Sequence, residues 1–321
     1  MSQYWVDDCP GREPPRAARR SDGFPLDWPR AAERQRDLPW QAVGVAWIEV
    51  GDRVWYRRYP AWDVNVGVIA GAGGLLLVDT LSSPREARTL RADLAELPGG
   101  ADAVRWVMNT HAHFDHWFGN AVFAGARIVA QAQMPRDAAG TLAEQKEFLA
   151  ARSEPYRSDM ASLELAWPDE LVAESAAADL GDRQVHFSYL GRGHTRHDLV
   201  ASVATGTDRE PAQAVLFAGD LIESSAPPAF GPDSFPLDWP RAARALSGLA
   251  EGAVVVPGHG PHVDAAFVAS QGEELGQVAS QIHRLHAAGV PETDALAAGS
   301  WPWDACLLDD AVRRGYAQLS C

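Results

Sequence analysis

The feature that most constrains this chain is a dense run of metal-binding side chains directly after a predicted strand. His111, His113, Asp115 and His116 lie within six residues, immediately after the apolar run Val104–Asn109. Neutral imidazole and carboxylate are ligands that Zn²⁺ and similar transition ions prefer. Because the chain has only ten histidines, this density at a strand end predicts a metal site.

More residues of the same chemical type follow other apolar runs, as a site for two metal ions would require. Each of four residues closes a run that is predicted to be a strand: Asp79, His194, Asp220 and His259. A single aspartate or histidine in such a place is common in turns. Four of them, each at a strand end, reinforce the prediction of one shared site.

This succession of motifs resembles the metallo-β-lactamase superfamily of metal-dependent hydrolases over about residues 41–262. The HxHxDH run at His111–His116 is its most specific part. The resemblance implies an α/β fold, a four-layer αβ/βα sandwich of the metallo-β-lactamase type, with metals at one edge of two facing sheets.

The resemblance also implies a ligand set for two divalent ions, most simply Zn²⁺, with Fe or Mn as alternatives. By position, the ligands are His111, His113 and His194 for the first ion, Asp115, His116 and His259 for the second, and Asp220 bridging both. Asp79 would hold the ligand loop in place without binding metal.

A dinuclear centre of this kind predicts a hydrolase of small ester, thioester or lactone/lactam substrates. The metals would lower the pKa of a bound water, and the resulting hydroxide would attack the carbonyl carbon. Asp115 is the predicted catalytic residue, because it could orient this nucleophile and carry its proton. The sequence has neither a nucleophile-elbow serine nor a cysteine beside a histidine, which argues against covalent catalysis.

Three other branches of the superfamily are alternatives to this interpretation. Gly193–Val200 resembles a block of the true zinc β-lactamases, but those enzymes lack the bridging aspartate that Asp220 would provide. A glyoxalase II-like thioester hydrolase is one alternative. A mononuclear iron oxidoreductase of the persulfide dioxygenase type is another, since such histidine sets also suit Fe²⁺.

Composition restricts the partners. With 28 Lys+Arg against 43 Asp+Glu, the net charge is −15, which disfavours nucleic-acid binding. No apolar run is long enough for a membrane helix and the start does not resemble a signal peptide, so a cytoplasmic protein with a small-molecule substrate is predicted. Three widely spaced cysteines argue against a disulfide framework. The oligomeric state is left open.

Three segments are predicted along the chain. Residues 1–40 would form an irregular or disordered arm, 41–290 the metallo-β-lactamase-like domain, and 291–321 a helical tail packed on that domain. The arm contains Phe24–Ala32, which recurs identically at Phe235–Ala243. The first copy is interpreted either as a duplicated or non-native leader, or as a segment that docks where the second copy packs.

The substrate pocket is predicted from aromatic residues near the ligands. Trp117, Phe118 and Phe230 are its candidates, although Trp117 and Phe118 would equally suit a helix packed into the core. Asn120 is assigned a turn or capping role. The remaining histidines of interest receive no function: His197, His262, His283 and His286.

Overall fold

The computed structural model describes residues 46–205 and 213–320. The predicted arm at 1–40, with the first copy of the repeat, lies outside the described residues. The strands are β1 Ile48–Gly51, β2 Val54–Tyr59, β3 Val64–Gly71, β4 Gly74–Val78, β5 Val104–Met108, β6 Arg127–Gln131, β7 Glu170–Val172, β8 Ser175–Asp179, β9 Gln184–Tyr189, β10 Leu199–Thr205, β11 Gln213–Glu223 and β12 Val254–His259. The helices are α1 Pro84–Asp93, α2 Phe114–Trp117, α3 Met134–Arg152, α4 Glu154–Ala161, α5 Trp239–Leu249, α6 Ala265–Ala287, α7 Glu292–Ala298 and α8 Asp309–Leu319.

The strands form two sheets that meet at one edge. The first sheet has the order β7-β6-β5-β4-β3-β2-β1 and the second the order β12-β11-β10-β9-β8. A single residue pair, His259 with Val64, joins them. A residue that is predicted to bind metal therefore lies at the junction of the two sheets.

Alternation along the strands builds the layers. On β4, Leu76 and Val78 face a core that also contains Phe187 and Phe217 of the second sheet, whereas Leu77 faces α1. The outer face of the second sheet is covered by α5, α6 and α8. Because side chains alternate with period two, each sheet buries both faces, and the result is the predicted four-layer α/β sandwich.

Helix starts follow their local signals. Ser83 caps α1 by accepting a hydrogen bond from the backbone N–H of Glu86, and Pro84 occupies the first turn. Asp264 caps α6 in the same way from Phe267. In the second copy of the repeat, Asp238-Trp239-Pro240 predicts a cap and a helix start; α5 begins there at Trp239, although the Asp238 side chain makes no capping hydrogen bond.

Several element boundaries differ from the sequence prediction. The sequence pattern predicts mostly helix over 133–157, but the structure breaks it at Ser153, whose extended backbone separates α3 from α4 and whose side chain caps the second helix. An apolar run predicts a strand at Ala214–Phe217, and the observed strand runs on to Glu223. Strands β6, β7 and β8 were not predicted, since β7 is short and β8 is rich in alanine.

The C-terminal segment packs on the second sheet's helical layer. Leu308, Val312 and Tyr316 are buried in the same core as α6. Cys306, which the sparse cysteine set left without a role, is disulfide-bonded. Among the residues that the structure describes, no helix has the length and apolar character needed to cross a membrane.

Candidate metal centre

The predicted ligands come from separate elements and meet at the junction of the two sheets. His111 and His113 lie in the loop after β5, and the four-residue helix α2 carries Asp115 and His116. His194 lies between β9 and β10. The last two members are on adjacent parallel strands, Asp220 on β11 and His259 on β12.

The first group of side chains is His111, His113, His194 and Asp220, all buried. One ligand atom from each lies within 4.8 Å of the others. The Nδ1 atom of His113 is 3.0 Å from Nε2 of His111 and 2.9 Å from Nε2 of His194. Three imidazole nitrogens therefore converge on one point.

The second group is Asp115, His116 and His259, and one ligand atom from each again lies within 4.8 Å of the others. The Asp220 carboxylate contacts both groups. Its Oδ1 lies 3.3 Å from Nε2 of His116, and its Oδ2 lies 3.2 Å from Nε2 of His259 and 3.4 Å from Nε2 of His194. Asp220 is thus placed between the two sets of imidazoles.

The hydrogen bonds on the outer side of each ring determine which nitrogen carries the proton. The outer partners are the Ala229 carbonyl for His194, the Trp62 carbonyl for His259, the Asp79 carboxylate for His116, the Asp233 carboxylate for His113, and the Thr110 hydroxyl for His111. The Thr110 hydroxyl already donates to Asp79, so it accepts from His111. Each neutral ring therefore points a lone pair inwards.

An inward cluster of lone pairs fits a cation. When the rings are neutral and keep these outer hydrogen bonds, no ring proton lies between the close nitrogens around His113 or between His116 and Asp220. Nε2 of His116 and Oδ1 of Asp220 are buried and have no hydrogen-bond partner among the described residues. Buried polar atoms without partners are costly, whereas imidazole and carboxylate with fixed outer hydrogen bonds are the usual surroundings of a divalent metal.

Asp79 holds the loop after β5 in place through hydrogen bonds to Thr110 and His116. Its carboxylate accepts hydrogen bonds from the Thr110 backbone N–H and hydroxyl and from Nδ1 of His116, each at 2.8 Å. Its backbone has a φ of 65°, a left-handed conformation that non-glycine residues seldom adopt. The side chain is absent from both groups of converging atoms, and its positioning role stays a prediction.

Two glycines make room for Asp220. Gly219 has a φ of +53° beside Thr110, and a Cβ on Gly258 would lie 1.8 Å from Oδ1 of Asp220. Burial would raise the pKa of Asp220, but His259, His116, His111 and His194 outweigh it and hold this pKa well below its usual value. The carboxylate is therefore ionised in a cradle that only glycine leaves open.

Gly258→Ala is expected to displace this carboxylate and weaken metal binding. The added methyl overlaps the position of Oδ1, so we expect a loss of metal affinity of about 10-fold or more, comparable to the loss of supporting contacts at other sites. The matched control is Gly276→Ala on α6, where nothing lies within 4 Å of the added Cβ. Titration of metal-free protein checks this, and equal affinities in both variants would contradict it.

Comparison with known proteins identifies the family of this chain. A sequence model of the metallo-β-lactamase superfamily matches residues 59–259. The chain belongs to the metallo-β-lactamase superfamily. Members of this superfamily bind divalent metals and include hydrolases.

Solved structures of superfamily members share the fold at low sequence identity. A metallo-β-lactamase from Pontibacter korlensis has a TM-score of 0.54 and 20% identity, covering 72% of this chain and 99% of that one. The metallo-β-lactamase FIM-1 from Pseudomonas aeruginosa, in its mono-zinc form, has 0.51 and 19%, covering 73% and 96%. The stereoselective inverting sec-alkylsulfatase Pisa1 from Pseudomonas sp. has 0.66 and 15%, covering 85% of this chain and 50% of that one. Comparison with curated proteins finds no significant match.

Two of the three predicted pocket residues lie in the hydrophobic core of this protein. Trp117 and Phe118 are fully buried and pack with Met134 and Leu149 of α3, so they cannot contact a substrate. The physical reason is that both side chains belong to the core that α3 and α4 complete, with Met160 also buried there. Phe230 keeps 8% exposure and packs against Trp239; its place in a pocket stays a prediction.

The polar residues without predicted function have structural partners. Asn120 bonds the Thr80 hydroxyl, the Asn109 amide and the Ala166 carbonyl, and so ties the turn after α2 to the sheet. His197 is buried with its Nδ1 3.1 Å from the Thr195 hydroxyl.

Sequence reasoning missed Asp233, which lies in the loop between β11 and α5. Its carboxylate is 3.1 Å from Nε2 of His113, and its side chain is 30% exposed. Burial would raise the pKa of Asp233, but His113 holds it below the usual value. A glycine and a proline before it mark only a turn, so no local signal pointed to a metal-side contact.

The same loop also anchors His194, because the Ala229 carbonyl accepts its Nδ1–H. Trp62 contributes similarly from the first sheet. Its carbonyl accepts from His259, and its ring lies 4.8 Å from the ring of Phe114 in α2. These backbone partners have no sequence signature, because any residue type offers a carbonyl.

Proposed function

We propose that the seven converging side chains hold two divalent metal ions, most simply Zn²⁺, in a hydrolase that acts on a small ester, thioester, lactone or lactam. The two sets are those named above, with Asp220 bridging them. The observation that carries the proposal is that the Asp220 carboxylate contacts imidazoles of both groups while all five rings turn lone pairs inwards. A metal pair held there would supply a hydroxide near neutral pH and stabilise negative charge on the attacked carbonyl.

The chain's own groups fix the rings and handle the proton. Asp79 and Asp233 hold His116 and His113 through charge-assisted hydrogen bonds, so little reorganisation accompanies the reaction. Asp115 would take the proton of the attacking water at its carboxylate. Its Oδ2 lies 3.6 Å from Nε2 of His259, which keeps it within the site.

The function is tested by measuring metal content and turnover on the same preparation. The purified chain, loaded with Zn²⁺ or Mn²⁺, would be assayed against thioesters, lactones, phosphodiesters, a chromogenic β-lactam and, because of the alkylsulfatase among its structural neighbours, an alkyl sulfate. About two ions per chain and turnover of a carbonyl substrate are expected. One iron per chain with oxygen uptake would instead support the persulfide dioxygenase alternative.

Acid is expected to remove the metals in two steps. Burial lowers the pKa of His194 to about 4 and that of His111 well below its usual value. At His259, burial also opposes protonation, but Asp220 and Asp115 outweigh it and raise the pKa to about 10. Burial likewise opposes protonation of His113 and His116, but Asp233 and Asp220 outweigh it and raise the pKa of each. The first set thus has one histidine with a raised pKa and the second set has two, and since protons compete better with metal at such groups, the second set should lose its ion first as the pH falls.

Metal content after dialysis at stepped pH checks this order. We expect the first loss, and most of the activity with it, below about pH 6, near the ordinary histidine pKa. The second ion should persist to lower pH, because burial keeps His111 and His194 neutral there. A single step, or full metal content at about pH 4, would contradict the prediction.

A further inference from the structure

Glu223 is a buried glutamate beside the second set of proposed ligands. It belongs neither to the HxHxDH run nor to the other ligand positions that the sequence predicts. It is the last residue of β11 and only 1% exposed. In the register of the parallel strands β11 and β12 it is the partner of His259. The strand that carries Asp220 therefore delivers a second carboxylate to the same edge of the sheet.

The backbone of Glu223 is held on both sides by one amide. Gln271 of α6, itself buried, accepts from the Glu223 N–H at 3.1 Å and donates to its carbonyl at 2.7 Å. The structure thus positions this residue through α6, independently of the loop that follows.

Only one of the two carboxyl oxygens of Glu223 has a hydrogen-bond partner. One oxygen accepts a hydrogen bond from the Ala229 backbone N–H, whereas Oε2 is buried and has no hydrogen-bond partner within residues 46–205 and 213–320. A neutral carboxylic acid at this place would leave its O–H without an acceptor, and an unpaired carboxylate would be more costly still. A cation bound by the ionised carboxylate would satisfy this oxygen.

The unsatisfied carboxyl belongs to a cluster of ligand atoms. An oxygen of Glu223 lies within 4.8 Å of ligand atoms of Asp220 and His259, which forms a third potential metal-binding group. His259 is shared with the group that contains Asp115 and His116. Asp220 and His116 carry the two other orphaned atoms of the site; Asp220 belongs to this third group, and His116 belongs to the group that shares His259 with it.

We infer that Glu223 is a further ligand at the second metal position, an inference that rests on the proposed dinuclear function. With it, that position has three carboxylates and two imidazoles, whereas the first has three imidazoles and one carboxylate. Zn²⁺ favours four ligands rich in nitrogen or sulfur, while Mn²⁺ accepts more ligands and favours oxygen. The second position is therefore the more manganese-tolerant of the two.

Glu223→Gln tests the inference with metal binding as the readout. Glutamine keeps the volume and an oxygen for the Ala229 N–H but removes the charge. Metal-free wild type and variant would be titrated with Mn²⁺, followed by electron paramagnetic resonance, and with Zn²⁺ by calorimetry. We expect the second Mn²⁺ to bind about 10–100-fold more weakly in the variant, with a smaller loss for Zn²⁺. The rise in melting temperature on adding Mn²⁺ should shrink accordingly.

The matched control is Asp159→Asn, another buried carboxylate changed to its amide, which pairs with Arg85 outside the candidate site. It should bind both metals as wild type does. Equal affinities for the second Mn²⁺ in wild type and Glu223→Gln would overturn the ligand assignment and leave the dinuclear proposal intact. Fewer than two ions bound by wild type would overturn both.

A second measurement serves if Glu223→Gln does not fold. In wild type, competition between Mn²⁺ and Zn²⁺ should show a greater relative preference for Mn²⁺ at one of the two positions. The same ratio at both positions would overturn the inference.

Discussion

Asp220→Ala is expected to lose one metal ion per chain and to lower turnover on the order of 10²-fold or more. The side chain is 5% exposed, and its two oxygens contact imidazoles of both groups. Removing it leaves two cations to repel each other without the carboxylate that neutralises them. Metal analysis and turnover on the same preparation measure both effects.

The control for this substitution is Asp310→Ala on α8, where the carboxylate pairs with Arg313 away from the candidate site. That variant should keep its metals and its rate. Full metal content together with wild-type turnover in Asp220→Ala would show that the centre is not dinuclear in the proposed form.

Removal of the metal ions by a chelator is expected to lower activity on the order of 10²-fold or more and to destabilise the fold. The acceptor atoms of His111, His113 and His194 would then face one another at 2.9 to 3.0 Å with no cation between them. An ion bound at about 1,000 times its dissociation constant contributes about 4 kcal/mol. For a chain of 321 residues, that corresponds to a fall in melting temperature of roughly 6 °C.

Activity and melting temperature should both return when Zn²⁺ or Mn²⁺ is added back. Chelator that is already saturated with zinc is the control for effects of the chelator itself, and it should change neither quantity. A preparation that hydrolyses its substrate at full rate after verified metal removal would require a metal-free mechanism.

Much of the fold could be predicted because it depends on short-range patterns. The β2 strand at Val54–Tyr59 and the start of α1 at Ser83 and Pro84 agree with the sequence reading. The α3 helix illustrates the limit. Its apolar pattern continues past Arg152, but the extended conformation of Ser153 ends it, a local break that periodicity does not record.

In the candidate site, too, some residues were recognisable from the sequence and others only from their contacts. His111 and its neighbours were recognisable because their side-chain chemistry is unusual and their spacing is short. Asp233 and Glu223 have the same chemistry, but each is a lone carboxylate in sequence, and acidic residues are common in turns and at strand ends. Only their contacts, with His113 for Asp233 and with the Asp220 and His259 cluster for Glu223, distinguish them.

By itself, the sequence determined the superfamily, the alternation of strands and helices, and the residue types available to bind metal. These follow from local periodicity and from the chemistry of single side chains, which need no knowledge of distant segments. Tertiary structure alone decided which nitrogen of each histidine turns inwards, because that depends on carbonyls and carboxylates up to 197 residues away, as in the pair of His259 with Trp62. It also decided that Trp117 fills the core while Glu223 lies beside Asp220 and His259, since burial and contacts with other elements, and not residue type, separate a packing residue from a candidate ligand.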